Sequence, residues 1–175
     1  MVLQAGQALF LMQTLMPVLQ NEGRTTKSLL EAVPAGRGDY RPDEKAKSAM
    51  ELAWHIAAAQ QRFLSGVAAG VFDFAPINKP ETFHTGTDIA GWYGERFASN
   101  VAAISALSDE QLAKVLDFRG VIHLPVVAFL TFHMNHEIHH RGQLSTYLRP
   151  MGGKVPAIYG ESYDSAEAKK AAGAA

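Results

Sequence analysis

Apolar positions recur at helical spacing along most of the chain. Val18, Leu19, Leu29, Leu30 and Val33 predict a helix from about Pro17 to Val33, with Gly23 weakening its middle. Pro17 is placed at the start because proline is tolerated in a first turn and poor in a helix interior. The segment from Met1 to Gln20 is apolar, but Gln4, Gln7 and Gln13 interrupt it and it carries neither a basic n-region nor a small-residue cleavage site. It is expected to be a packed amphipathic lead-in. Pro34 to Asp39 is a break, continued as an irregular loop through Tyr40, Arg41 and Pro42. Ser48 and Glu51 then make a capping box before Leu52, Trp54 and Ile56, opening a second helix that runs to about Ala69 and stops at Gly70.

Val71 to Gly86, with Pro76 and Pro80, is expected to be a long crossover loop. Thr87-Asp88 can cap a third helix through about Ala106, with Ile89, Trp92, Tyr93, Phe97, Val101 and Ile104 along one side. Ser108-Asp109-Glu110-Gln111 starts a short helix to Leu116, and Arg119-Gly120 turns the chain. Leu124 to Leu148, opened by Pro125 and closed by Arg149-Pro150, is the last long helix; Phe129, Phe132, His136, His140, Gln143, Leu144 and Tyr147 are expected on its inward sector. Met151 to Tyr163 reads as a wrapping loop and the Ala-Lys-rich end after Ala166 as a low-information tail, compatible with a solvated helical turn. Gly120 to His123 is too short to found a sheet. The expected fold is therefore all-α: a four-helix bundle with a short extra helix and a C-terminal wrapping loop. A chain of 175 residues suits one domain over 1–175, with a core at about 17–163 and a tail at 164–175.

Composition narrows the function classes. A hydrophobic content of 47% with 19% charged residues fits a folded globular chain. A net charge of −1 and the absence of a basic stripe argue against nucleic acid. No apolar run approaches the ~20 residues that a membrane-spanning helix needs. The chain has no cysteine, so disulfides, thiolate ligands and a protein thiol nucleophile are excluded. Any thiol chemistry must use a small-molecule thiol, and the composition suits a reducing cytoplasm.

The chemistry-bearing run is His136-Glu137-Ile138-His139-His140. At about 100° per residue, positions i and i+4 lie within roughly 40° of one another, so His136 and His140 can reach one cation. Neutral imidazoles are common zinc ligands, and unpartnered ionisable groups in an apolar stretch are costly. A third ligand should come from a facing helix. His55, mid-helix among Trp54, Ala58, Ala59 and Phe63, is the best candidate, although a histidine on an apolar face is more often a satisfied core residue. Three histidines leave positions open for water or substrate, the catalytic pattern. His133 is the spare; His139 is expected to donate a hydrogen bond or face solvent; His84 and His123 receive no role. Arg141 is expected to cap the helix or to form a surface salt bridge. An alternative takes His136-Glu137-x-x-His140 as a zincin-type motif, with Glu137 as general base and Glu161 as a possible downstream ligand. Thr146 stands where the extended form of that motif has its third histidine.

The wider neighbourhood carries a resemblance. His136-x-x-x-His140-Arg141-Gly142-Gln143-Leu144, Tyr147-Leu148-Arg149, Val155-Pro156-x-Ile158-Tyr159-Gly160, the segment Ser48 to His55 with Trp54-His55-Ile56-Ala57, and the loop from Val33-Pro34 to Tyr40-Arg41-Pro42 together resemble the DinB-like family of metalloenzymes, over about Pro17 to Tyr163. The resemblance implies up-down-down-up connectivity and a divalent metal, nickel or zinc, on His55, His136 and His140. It also implies a homodimer, and metal-dependent transfer or isomerisation with a low-molecular-weight thiol such as bacillithiol or mycothiol. The alternatives are a zinc-dependent hydrolase and a non-catalytic dimeric bundle stapled by its metal.

Overall fold

The computed structural model describes residues 3–173; the first two residues of the lead-in and the last two of the tail lie outside them. Four long helices dominate: α1 (Ala5–Glu31), α2 (Ala49–Ala69), α3 (Gly86–Ser105) and α5 (Ala128–Leu148). Between α3 and α5 lie the short α4 (Asp109–Ala113) and a hairpin of β1 (Val115–Phe118) and β2 (Ile122–Pro125); α6 (Tyr163–Gly173) follows the last loop.

Two apolar clusters fill the bundle, one toward each end. One joins Leu29 and Leu30 at the end of α1, Leu52 and Ile56 early in α2, Ile89 and Tyr93 early in α3, and Leu144 and Leu148 late in α5. The other joins Met12 and Leu19 of α1, Leu64 and Val67 late in α2, Ile104 late in α3, and Phe129 and Leu130 early in α5. Thus α1 and α5 run one way and α2 and α3 the other. α3 packs on α1 and α2, and α5 packs on the same two helices.

Helix α1 starts twelve residues earlier than Pro17, at Ala5, and carries that proline in its interior. Ala8, Met12, Met16 and Leu19 make one unbroken buried stripe across it. Proline removes one helical hydrogen bond, but Gln13, whose carbonyl loses its donor, is solvent-exposed, so water can replace it. Burial of the stripe therefore outweighs local propensity. Gly23 has a packing reason: a Cβ there would stand 2.4 Å from the Phe97 ring, so its absence lets α3 approach α1.

Helix α2 has the expected ends. The Ser48 hydroxyl accepts from Glu51 N, the Glu51 carboxylate accepts from Ser48 N, and Gly70 closes the helix at φ 67°. The cap of α3 is Thr85 rather than Thr87-Asp88: its hydroxyl accepts from Asp88 N while the Asp88 carboxylate accepts from Thr85 N.

The segment assigned to the end of the short helix and the start of the last one is instead the β hairpin. Val115–Phe118 pairs antiparallel with Ile122–Pro125. Arg119 and Gly120, both at positive φ, make the expected turn, and Asp117 Oδ1 accepts from Gly120 N at 2.7 Å. Leu116 of β1 and Val126, directly after β2, reach the core; four-residue strands are invisible to periodicity when their partner is only a turn away. The tail, too, is more than one turn. Asp164, in the first turn of α6, accepts from Arg149 Nε at 3.1 Å and from Val155 N at 2.9 Å, tying the helix to the end of α5. Among the described residues, no helix is long and apolar enough to cross a membrane.

Candidate metal centre

The antiparallel packing of α2 on α5 brings three imidazoles together. One ring nitrogen each from His55, His136 and His140 lies within 4.8 Å of the others. His55 Nε2 stands 3.1 Å from His140 Nε2, and the rings of His136 and His140 are 4.5 Å apart between centroids. All three side chains are half-buried. Two nitrogens sharing a tetrahedral zinc at about 2.0–2.1 Å would stand about 3.3–3.4 Å apart, so the arrangement is close to a ligand set before any adjustment.

The donors are also in the right charge state. Burial, reinforced by the neighbouring imidazoles, pushes His55 and His136 down to about 4. Burial likewise lowers His140, although its hydrogen bond to Gln143 opposes the shift. The Lys47 ammonium further disfavours protonation of both His55 and His140. Neutral rings with free lone pairs are what a divalent cation requires.

Gln143 sets the tautomer. Its Oε1 lies 2.6 Å from His140 Nδ1 and can only accept, so that nitrogen carries the proton and Nε2 presents its lone pair to the cluster. Helical spacing brings the two together, since i and i+3 are neighbours on a helix surface. Its spacing alone puts Gln143 on the histidine sector, but not in this task.

Of the positions expected on that sector, Phe129, Leu144 and Tyr147 are buried, whereas His136, His140 and Gln143 lie on a flank of α5. The buried face instead carries His133, Glu137 and Arg141, one turn apart, among Phe129, Leu130, Leu144 and Leu148. His133 is fully buried away from the three-histidine cluster, and neither ring nitrogen has a hydrogen-bond partner. Burial pushes it down to about 3. Glu137 accepts a 2.5 Å hydrogen bond from the Tyr93 hydroxyl, and burial pushes its carboxyl up to about 7. Its second oxygen lies 3.7 Å from His133 Nε2. With the histidine neutral, this is not an ion pair. A carboxyl held in the core by Tyr93 is poorly placed to act as a base on the open side of the cluster. Glu161 is exposed, bonded to Lys169 at 2.9 Å, and outside the cluster.

Arg141 corrects an expectation. It does point away from the histidine face, but inward: its guanidinium is buried and pairs with the buried Glu22 of α1 at 2.6 Å. It also donates to Thr26 Oγ1 at 3.2 Å and to the Tyr159 hydroxyl at 2.6 Å, while that hydroxyl donates to Glu22 at 3.0 Å. The wrapping loop is thereby pinned to α1 and α5. His139 is exposed with its ring against His140; exposed His84 and His123 lie outside the cluster.

The sequence model of the DinB family matches residues 7–171. The chain belongs to the DinB family. It is similar to YjoA of Bacillus subtilis strain 168, a protein described as uncharacterized, with 34% identity over 131 residues, covering 73% of this chain and 82% of YjoA. The crystal structure of the DinB-like YjoA matches at a TM-score of 0.69 and 28% identity, over 85% of this chain and 99% of that one. A DinB-like protein from Bacillus cereus matches at 0.71 and 26%, over 84% and 97%. The mostly helical architecture of this DinB chain is thus shared with solved relatives, and its three-histidine cluster can hold a metal ion.

Proposed function

We propose that this DinB-family protein is a metal-dependent enzyme that transfers a low-molecular-weight thiol to an electrophilic small molecule. The single observation that carries the reading is the convergence of three neutral imidazoles from two helices, with no carboxylate or fourth histidine among the described residues completing the set. Such a set suits zinc or nickel and leaves room for an exogenous ligand, as catalytic sites do and closed structural sites do not. When bound, the metal would supply Lewis acidity that lowers the pKa of a coordinated thiol and favours its nucleophilic form.

The chain's own residues divide the remaining work. His55, His136 and His140 would hold the ion, and Gln143 fixes the ring of His140. Glu137 and Tyr93 stay in the core, where they brace α5 against α3 and touch no substrate. A chain without cysteine needs its thiol from solution, in keeping with an external cosubstrate.

The test is to load the protein with zinc or nickel and incubate it with an electrophile and a panel of biological thiols. Thiol consumption above the uncatalysed rate that disappears in His136→Ala supports the reading. A rate indistinguishable from background with every thiol and both metals sinks it. Glu137→Gln separates the hydrolytic alternative: a hydrolase relying on that carboxylate loses activity, whereas the transferase keeps it.

A further inference from the structure

An open groove of about 540 Å³ begins at His55 and extends over the start of α2. One wall is apolar and built from afar: the Trp54 indole donates to the Ile77 carbonyl at 3.0 Å, and its ring packs on Trp92 at 4.9 Å and Phe83 at 6.3 Å. The other wall is the segment Glu44 to Lys47. Its backbone is fixed, because Asp43 Oδ1 accepts from Lys45 N at 2.9 Å and from Ala46 N at 3.1 Å, while Arg41 donates to the Ala46 carbonyl at 2.7 Å.

The cations of this wall are not equivalent. Arg41 is committed to Glu51 at 3.0 Å. Lys45 and Lys47 are exposed and have no ion-pair partner among those found in the described residues. Of the two, Lys47 directly precedes Ser48, the cap of α2, and lines the groove together with His55, two turns further along that helix. Arg41, Lys45 and Lys47 face the carboxylates of Glu44 and Glu51, with Asp43 behind them, so the wall is close to neutral and offers a free ammonium to a single carboxylate rather than a strongly positive field for a phosphate dianion.

We propose that Lys47 is the anion subsite of this groove, holding the carboxylate of a small-molecule ligand whose reactive end lies at His55, with its apolar portion against Trp54 and Ile77. The proposal deepens the functional reading above by naming a substrate class, and it makes Lys47 a specificity-determining residue. A neutral ligand of the same shape would leave the ammonium solvated and gain nothing from it.

Quenching of tryptophan fluorescence, with Trp54 in the groove wall, gives a binding readout independent of turnover. The probes are mercaptopropionate and mercaptopropionamide, which differ in the carboxylate alone, titrated into zinc-loaded and zinc-free protein whose metal content is measured in parallel. The wild-type protein is expected to favour the acid by about five- to tenfold, the value of a partly screened charge-assisted hydrogen bond. Lys47→Gln is expected to bring the ratio to about one, and Lys47→Arg to keep it. Equal affinity for the two probes, no binding of either, or an undiminished preference in Lys47→Gln overturns the proposal. Selectivity that survives in protein unable to retain zinc leaves the proposal standing and removes the metal reading instead. Zinc retention without selectivity does the reverse.

Discussion

His55 and His140, 85 positions apart, face each other with their Nε2 atoms separated by 3.1 Å. His140 already uses its Nδ1 proton on Gln143, so its Nε2 is a bare lone pair directed at the other imidazole. In the metal-free protein only a proton on His55 Nε2 can reconcile the two; a cation bound by both replaces that proton. His55→Ala, His136→Ala and His140→Ala should therefore each reduce zinc retention far more than any change outside the ligand set. His84→Ala, on an exposed loop, should leave it unchanged. Elemental analysis after dialysis against a weak chelator measures this directly, and retention by His55→Ala would move the third ligand elsewhere.

Gln143→Leu keeps the side-chain volume and removes the acceptor for His140 Nδ1–H. A hydrogen-bonded partner that orients a ligand is commonly worth about 10- to 100-fold in metal affinity, so a loss in that range is expected. Competition with a chromophoric chelator reads it, and Gln143→Glu, which restores an acceptor, should recover affinity.

His133 makes the fold acid-sensitive. Its folded-state pKa, pushed down to about 3, lies below the unfolded value of 6.5. Between those values the unfolded chain binds a proton that the folded chain refuses, so this residue makes stability fall as pH drops through the window, by up to about 1.4 kcal/mol per pH unit. Its stabilising neutral form is fully available above pH 6.5. Chemical denaturation of the wild type and of His133→Leu at pH 7 and pH 4 should show a smaller acid loss in the variant. Parallel losses would mean that His133 takes up its proton before unfolding.

Breaking the Glu22–Arg141 pair leaves a charge buried with no counter-ion. Arg141→Met is expected to cost about 3–5 kcal/mol, with Glu22→Gln/Arg141→Met losing less than Arg141→Met alone. Denaturant midpoints test it. An Arg141→Met cost below about 1 kcal/mol would mean that the pair is solvated, since exposed pairs are worth that little.

Gly86 opens α3 against the end of α1, where an added Cβ would stand 2.2 Å from the Leu30 carbonyl oxygen. Backbone cannot yield as a side-chain tip can, so Gly86→Ala should destabilise by about 1–3 kcal/mol. Gly91→Ala, on the same helix with open space around it, should be neutral or slightly stabilising. Thermal melts of the two variants supply the comparison.

How much was legible in the chain depended on the range of the interaction. The capping box at Ser48, the stop at Gly70, the turn at Arg119-Gly120 and the four-residue spacing of His136 and His140 involve neighbours within one turn, and each appears as read. The start of α1 is not legible around Pro17, because local propensity is silent on the burial of Ala8, Met12 and Met16, which depends on the other helices. The hairpin is not legible either, because short strands derive their stability from each other and from the core they cap.

Local chemistry thus determined that this chain would be helical, where α2 begins and ends, and that two imidazoles would share a helix face. The tertiary structure decided which face of α5 is buried, and so turned Arg141 and Glu137 into core residues and left the histidines on a flank. It also decided that His55 meets His140 and that Lys47 lines the same groove as His55. These outcomes arise from the packing of α2 and α5, whose relative direction and rotation are set by apolar contacts along the whole bundle rather than by any residue near the site.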